Sequence, residues 1–218
     1  MAHRPRGRSR AFWDPRAFRL FLISCTSASA IVFVPSEELV IPTPKGLYCP
    51  RADVYIDPWQ PVPRALVTHA HADHLRWGCG SYLVSAEGEG VTRVRLGTEA
   101  RLETLEWSEA RTIGGLRVSF HPAGHILGSA QIRLEYKGQV AVVTGDYKRH
   151  HDPTTTAFEL VRAHTLITES TFALPIFRWP DSAAVEREIG EWWSRNRRDG
   201  RTSVLFSSAL GKAHRLLS

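Results

Sequence analysis

Residues 66–75 read LVTHAHADHL, a short apolar run that ends with His69, His71, Asp73 and His74 inside six positions. Four strongly hydrated groups crowded at the end of a strand-like run repel or desolvate one another unless something shared compensates them. A metal ion does so, and this requirement narrows what the chain can fold into. The strand must end where the other ligands can gather. In an extended stretch the side chains at 69, 71 and 73 share one face while His74 points elsewhere, so the pattern suits two adjacent ions better than one.

Two later stretches supply further ligands. HPAGHILGSAQI (121–132) holds His125 in a glycine-rich loop between alternating segments, with His121 as an isolated polar residue read as structural. AVVTGDYK (141–148) places Asp146 just after an apolar run, where a carboxylate can reach a site at a sheet edge.

The surrounding pattern is that of an α/β chain. Val54–Ile56 and Ala65–Thr68 read as short strands, and Leu116, Val118 and Phe120 alternate with polar residues. Ala130, Ile132, Leu134 and Tyr136 alternate likewise, and Lys137-Gly138 then predicts a tight hairpin turn into Val140–Val143. After Pro180 the period becomes helical, with Asp181 or Ser182 as the cap. Val185, Ile189, Trp192 and Trp193 share one face there, and the tryptophan pair is expected to pack into a core. Thr202–Phe206 reads as a strand, and Ala209–Leu217 as a final helix.

Charge is unevenly spread. Six arginines (4, 6, 8, 10, 16 and 19) against Asp14 give residues 1–20 a net of +5 within the total of +6, so the remainder is near neutral. Basicity confined to one tail is a weak argument for a nucleic-acid partner. Residues 1–36 are expected to be a basic tail, disordered or an over-extended start, although LFLI followed by Ala28-Ser29-Ala30 has the parts of an export signal. No run approaches the ~18 apolar residues of a spanning helix. Three scattered cysteines (25, 49, 79) fit free thiols in a reducing, cytoplasmic setting.

Taken in order, the His-x-His-x-Asp-His stretch, the Ala-Gly-His loop and the Asp after a strand resemble the metallo-β-lactamase superfamily. Ala123-Gly124-His125-x-x-Gly128-Ser129 and Thr168-Glu169-Ser170-Thr171 are similar to its nucleic-acid-cleaving β-CASP branch. GLYCP, IDPW, THAHADH, GDYKR, TESTFALPIFRWP and SVLFSSALGKAHRLL resemble the bacterial DNA-ligase-associated exonucleases, from about Pro44 to the last residue. The resemblance implies an αββα sandwich at 37–175, incomplete, and the start of a β-CASP insert at 176–218. It further implies two zinc ions. His69, His71 and His125 would hold the first, Asp73 and His74 the second, and Asp146 would bridge them. Asp57 would steady the histidine loop from behind, and Asp73 and Glu169 would serve catalysis.

Lys148, Arg149 and Lys212 are candidate phosphate contacts. The implied substrate is DNA with accessible ends, with an ATP-dependent DNA ligase and a helicase as functional partners and no membrane. Later segments of such enzymes bring a further histidine to the second zinc. The chain is therefore expected to be a C-terminally shortened form with that ligand missing, weakly active or inactive. An RNA-processing β-CASP nuclease and a non-catalytic metal-binding fragment are the alternatives.

Overall fold

The computed structural model describes residues 38–218 together with the backbone of one strand, β1 (Arg19–Ile23). Two six-stranded sheets dominate. The first runs in the order β1, β12 (Thr165–Glu169), β11 (Gln139–Val143), β10 (Ala130–Tyr136), β9 (Leu116–Pro122), β8 (Ala110–Ile113). The second runs β2 (Ile41–Thr43), β3 (Gly46–Cys49), β4 (Val54–Ile56), β5 (Ala65–Leu66), β6 (Tyr82–Ser85), β7 (Leu102–Leu105). Both are mixed. In the first, β1, β12 and β11 are parallel and β11 through β8 antiparallel; in the second, β4 through β7 are parallel.

Period-2 patterning explains how the sheets meet. Register aligns Phe120 with Ile132, Ile132 with Val143 and Val143 with Ile167, an apolar row across four strands. That row packs against Val54, Ile56, Leu66, Leu83 and Leu105 of the other sheet, and together they form the main core. The expected hairpin is present: Lys137 and Gly138 both take positive φ (47° and 79°), the two-residue turn whose twist matches the strands.

Helix α1 (Glu89–Leu96) lies on the outer face of the second sheet, with Val91 and Leu96 against Val67, Tyr82 and Val84. The outer face of the first sheet is crossed by residues 150–164. There Glu159 caps β9 through Pro122 and accepts from Gln131 Nε2 at 2.6 Å. The architecture is thus the α/β sandwich expected from the sequence, with two face-to-face sheets.

Four expectations change. Part of the supposed tail is a strand, because the LFLI run has an open edge of β12 to pair with; the rest of residues 1–36 lies outside the described ones. Thr202–Phe206 pairs with neither sheet, and Phe206 is 95% exposed: its strand-like composition finds no partner among the described residues. Helix α2 (Ser182–Arg198) is capped by Asp181, which accepts from Ala184 N at 2.9 Å, but buries no residue. Trp193 is 45% exposed, so the tryptophan pair does not join the core. The last helix, α3 (Lys212–Leu217), starts three residues late because Gly211 has φ 77°.

Candidate metal centre

The parallel strands β4, β5, β11 and β12 all end at one edge of the sandwich, and the β9–β10 loop folds over the same edge. A backbone hydrogen bond from Ala130 N to Thr68 O (2.8 Å) stitches the two sheets together there.

The histidine stretch begins three residues beyond β5. Thr68 and His69 lie beyond the strand but are still buried; the chain then coils, with Leu75 N bonding to His71 O at 2.9 Å. This turn keeps His69 and His71 together and swings Asp73 and His74 away. Strict alternation would have left Asp73 beside the first two histidines, so the coil is what separates the stretch into two groups.

The first group is tight. His71 Nδ1 lies 3.0 Å from His69 Nε2 and 3.2 Å from His125 Nε2, and Asp146 Oδ2 lies 3.5 Å from His125 Nε2 and 3.9 Å from His69 Nε2. All four ligand atoms fall within 4.8 Å of one another. Neighbouring ligands on a tetrahedral zinc with bonds of 2.0–2.1 Å stand about 3.3 Å apart, so these residues fit that ion. The second group is looser. His74 Nε2 lies 3.2 Å from Asp146 Oδ1 and 3.7 Å from Asp73 Oδ2. Asp146 therefore turns one oxygen toward each group.

What aims the rings is a buried relay. Asp57, at φ 43° just after β4, accepts from Thr68 N (2.8 Å), Thr68 Oγ1 (2.6 Å) and His74 Nδ1 (2.7 Å). The Thr68 hydroxyl spends its proton on Asp57 and so accepts from His69 Nδ1 at 3.1 Å. Both His69 and His74 thereby present Nε2 to the site. Gly145, with φ 53°, has to lack a side chain, because a Cβ there would strike Thr68. The His125 loop is held by Ser129 Oγ, which accepts from His125 N (2.9 Å) and Ile126 N (3.1 Å).

Electrostatics favour ligation by the first group. Burial lowers the pKa of His69 well below its usual value, lowers that of His71, and brings that of His125 down to about 4. All three are neutral near pH 7, the form a metal needs. Burial also opposes charge on His74, but the Asp57 carboxylate and hydrogen bonds with Asp146 and Asp57 outweigh it and push its pKa up to about 11. For Asp146, burial is outweighed by the His74 hydrogen bond and charge, so its pKa is lowered. Glu169, at the end of β12, is raised by burial and by its contact with Asp146, with Thr171 working the other way.

The structure thus brings Asp57, His69, His71, Asp73, His74, His125, Asp146 and Glu169 to one edge. It does not bring Lys148, whose Nζ is 2.7 Å from the buried Asp152; Arg149 and Lys212 are exposed. His121 sits between Ser119 (3.1 Å) and Glu159 (3.0 Å), apart from the ligands. Sequence reasoning missed Thr68, for which a threonine preceding the first histidine was the only signal.

No family model matches the chain. A protein of Opitutus terrae described as "Probable DNA ligase" is 32% identical over 174 residues, covering 79% of this chain and 17% of that protein. Cleavage and polyadenylation specificity factor 73 of Drosophila melanogaster is 29% identical over 161 residues, 71% of this chain and 23% of that one. The endoribonuclease YSH1 of Gibberella zeae is 33% identical over 150 residues, 66% of this chain and 18% of that one. The chain spans about a fifth of the length of these curated relatives. Zn(2+)-bound PqqB from Methylobacterium extorquens overlaps 37% of each chain at 11% identity and a TM-score of 0.29, a likeness too slight to carry an argument. From its converging histidines and carboxylates and from these relatives, the chain is related to the metallo-β-lactamase and β-CASP nucleases.

Proposed function

We propose that this chain carries the zinc-binding centre of a nuclease that hydrolyses phosphodiester bonds at DNA ends, in company with an ATP-dependent DNA ligase. One observation carries the reading: two ligand groups share Asp146, one at each carboxylate oxygen. His69, His71 and His125 would hold one zinc, and Asp73 and His74 the other. Zinc supplies charge to a phosphoryl oxygen and makes a water nucleophile available near neutral pH.

The chain's own residues do the rest. Thr68 keeps Nε2 of His69 free for metal, and Asp57 holds His74 by Nδ1 so that its Nε2 faces the site, where a metal would displace the proton it shares with Asp146. Asp73, largely exposed at the mouth, orients the incoming water and accepts its proton. Glu169, whose pKa is raised by burial and by Asp146, holds a proton beside the site for the leaving oxygen. Arg149 and Lys212 are free to meet phosphates, while Lys148 is held by Asp152. Turnover is expected to be slow, because among the described residues the second group offers only Asp73, His74 and Asp146.

A ligase-described relative favours DNA. A relative named an endoribonuclease supports RNA as the second reading. The test is end-labelled DNA and RNA oligonucleotides of matched sequence, incubated with the zinc-loaded chain and with Asp146→Ala. Shortening of DNA that Asp146→Ala abolishes is the expected result. Equal or preferred cleavage of RNA would overturn the DNA assignment. Zinc binding without cleavage of either would make the chain a metal-binding module only.

A further inference from the structure

We propose that Asp152 is a positioning residue for the metal centre: it holds the Asp146 loop against the His125 loop and so sets the spacing of those two ligands. The inference rests on the zinc reading above and deepens it. Asp152 follows Asp146 in the connection between β11 and β12, is 4% exposed, and has defined partners on both oxygens. Oδ2 accepts from Lys148 Nζ at 2.7 Å and faces Arg215 Nε at 3.4 Å. Oδ1 accepts from Thr154 N at 3.1 Å and from Thr154 Oγ1 at 2.7 Å. Thr155 N donates to the Asp152 carbonyl at 3.2 Å, so residues 148–155 close into one turn around this carboxylate.

The turn grips the two residues just before His125. Lys148 N donates to Ala123 O at 2.9 Å. Lys148 O lies so near Gly124 that a Cβ there would stand 2.4 Å from it. From the other end of the turn, Thr155 Oγ1 donates to Gly124 O at 3.3 Å. The grip thus joins backbone next to Asp146 with backbone next to His125, and it constrains the 3.5 Å approach of Asp146 Oδ2 to His125 Nε2. Through Arg215 the same carboxylate fastens α3, whose preceding Gly211 comes within 2.8 Å of Ile126 Cγ2 at the position of a Cβ.

A buried ion pair loses by leaving water about as much as its attraction returns, so apolar replacements are often neutral for stability. What the Asp152 cluster supplies is fixed geometry, and the geometry it fixes is that of two ligands that have to meet one ion. Asparagine cannot reproduce it. With its oxygen toward Lys148 its NH₂ meets the Thr154 N–H, and with its oxygen toward Thr154 its NH₂ meets the Lys148 ammonium.

The full chain is compared with Asp152→Asn, with Lys148→Met, which removes the ammonium, and with Lys148→Arg, which keeps the pair. Zinc affinity is measured by competition with a chromophoric chelator. Amide hydrogen exchange is followed in the metal-free protein at Lys148 and at Ile132 in β10. Asp152→Asn and Lys148→Met are expected to weaken zinc about tenfold and to speed exchange at Lys148 about tenfold more than at Ile132, with Lys148→Arg close to wild type in both. Affinities within twofold of wild type would overturn the inference. Equal acceleration at Lys148 and Ile132 would overturn it too, because the whole fold would then have weakened and not the grip. Should Asp152→Asn fail to fold, Lys148→Met against Lys148→Arg decides. A wild-type chain that takes no zinc would overturn the nuclease reading; selective exchange at Lys148 would then leave the grip between the loops standing, and its absence would remove that as well.

Discussion

Replacing Asp57 by asparagine changes one atom and should separate folding from metal binding. The carboxylate accepts three hydrogen bonds, from Thr68 N at 2.8 Å, Thr68 Oγ1 at 2.6 Å and His74 Nδ1 at 2.7 Å. In Asp57→Asn the amide oxygen can keep the Thr68 N–H, but the NH₂ group then faces a hydroxyl and a ring N–H, donor against donor. His74, which carries a proton on both ring nitrogens in the metal-free chain, resolves the conflict by giving up the one on Nδ1 and keeping the one on Nε2, the atom 3.2 Å from Asp146, and so ceases to be a ligand. Outer partners of this kind are worth 10–100-fold in metal affinity, about 1.4–2.7 kcal/mol. The fold should lose about 1–3 kcal/mol, the range for a disturbed buried hydrogen bond. Elemental analysis should fall from about two zincs per chain toward one, and chelator competition should show the first group nearly intact. Two zincs bound with wild-type affinity by Asp57→Asn would refute the relay.

Other expectations follow from the same geometry. In the metal-free chain His74 titrates at about 11, above its unfolded value, so its stabilisation is full below pH ~6.5 and is lost as pH rises toward 11; His125, at about 4, destabilises as pH falls from ~6.5 toward 4. Thermal unfolding against pH should therefore peak near neutrality without metal; a profile that only rises with pH would contradict the His74 shift, and one that only falls would contradict the His125 shift. Phe120→Ala removes a fully buried ring at the β9 end of the four-strand row, costing about 3–5 kcal/mol and lowering Tm by roughly 6–20 °C in calorimetry. Arg149→Ala and Lys212→Ala should each reduce the salt slope of oligonucleotide binding by about 1, whereas Lys148→Ala, whose partner is the buried Asp152, should leave that slope unchanged and lower stability instead. Equal slopes for all three variants would show that none contacts phosphate.

Much of the fold was legible because it was written locally. Alternation in Leu116–Phe120 and Ala130–Tyr136 specifies which faces are buried, and Lys137-Gly138 specifies the turn that sets their register. The spacing of His69 and His71, with His125 in a glycine-rich loop and Asp146 after an apolar run, pointed to four residues that the structure gathers within reach of one ion.

Local pattern could not tell whether an apolar face finds a partner. Val185, Ile189, Trp192 and Trp193 share a helical face, yet α2 buries no residue, and Thr202–Phe206 has the composition of a strand but joins neither sheet. What the sequence determined by itself was the inventory: which residues can ligate, where strands run and where they turn, because these depend on neighbours within a few positions. What only the tertiary structure decided was the aim of each ligand. The orientation of His69 and His74 is set by Thr68 and Asp57. Asp57 follows β4 and Thr68 follows β5, so their meeting with the two rings depends on how separate strands pack, which no short stretch of sequence records.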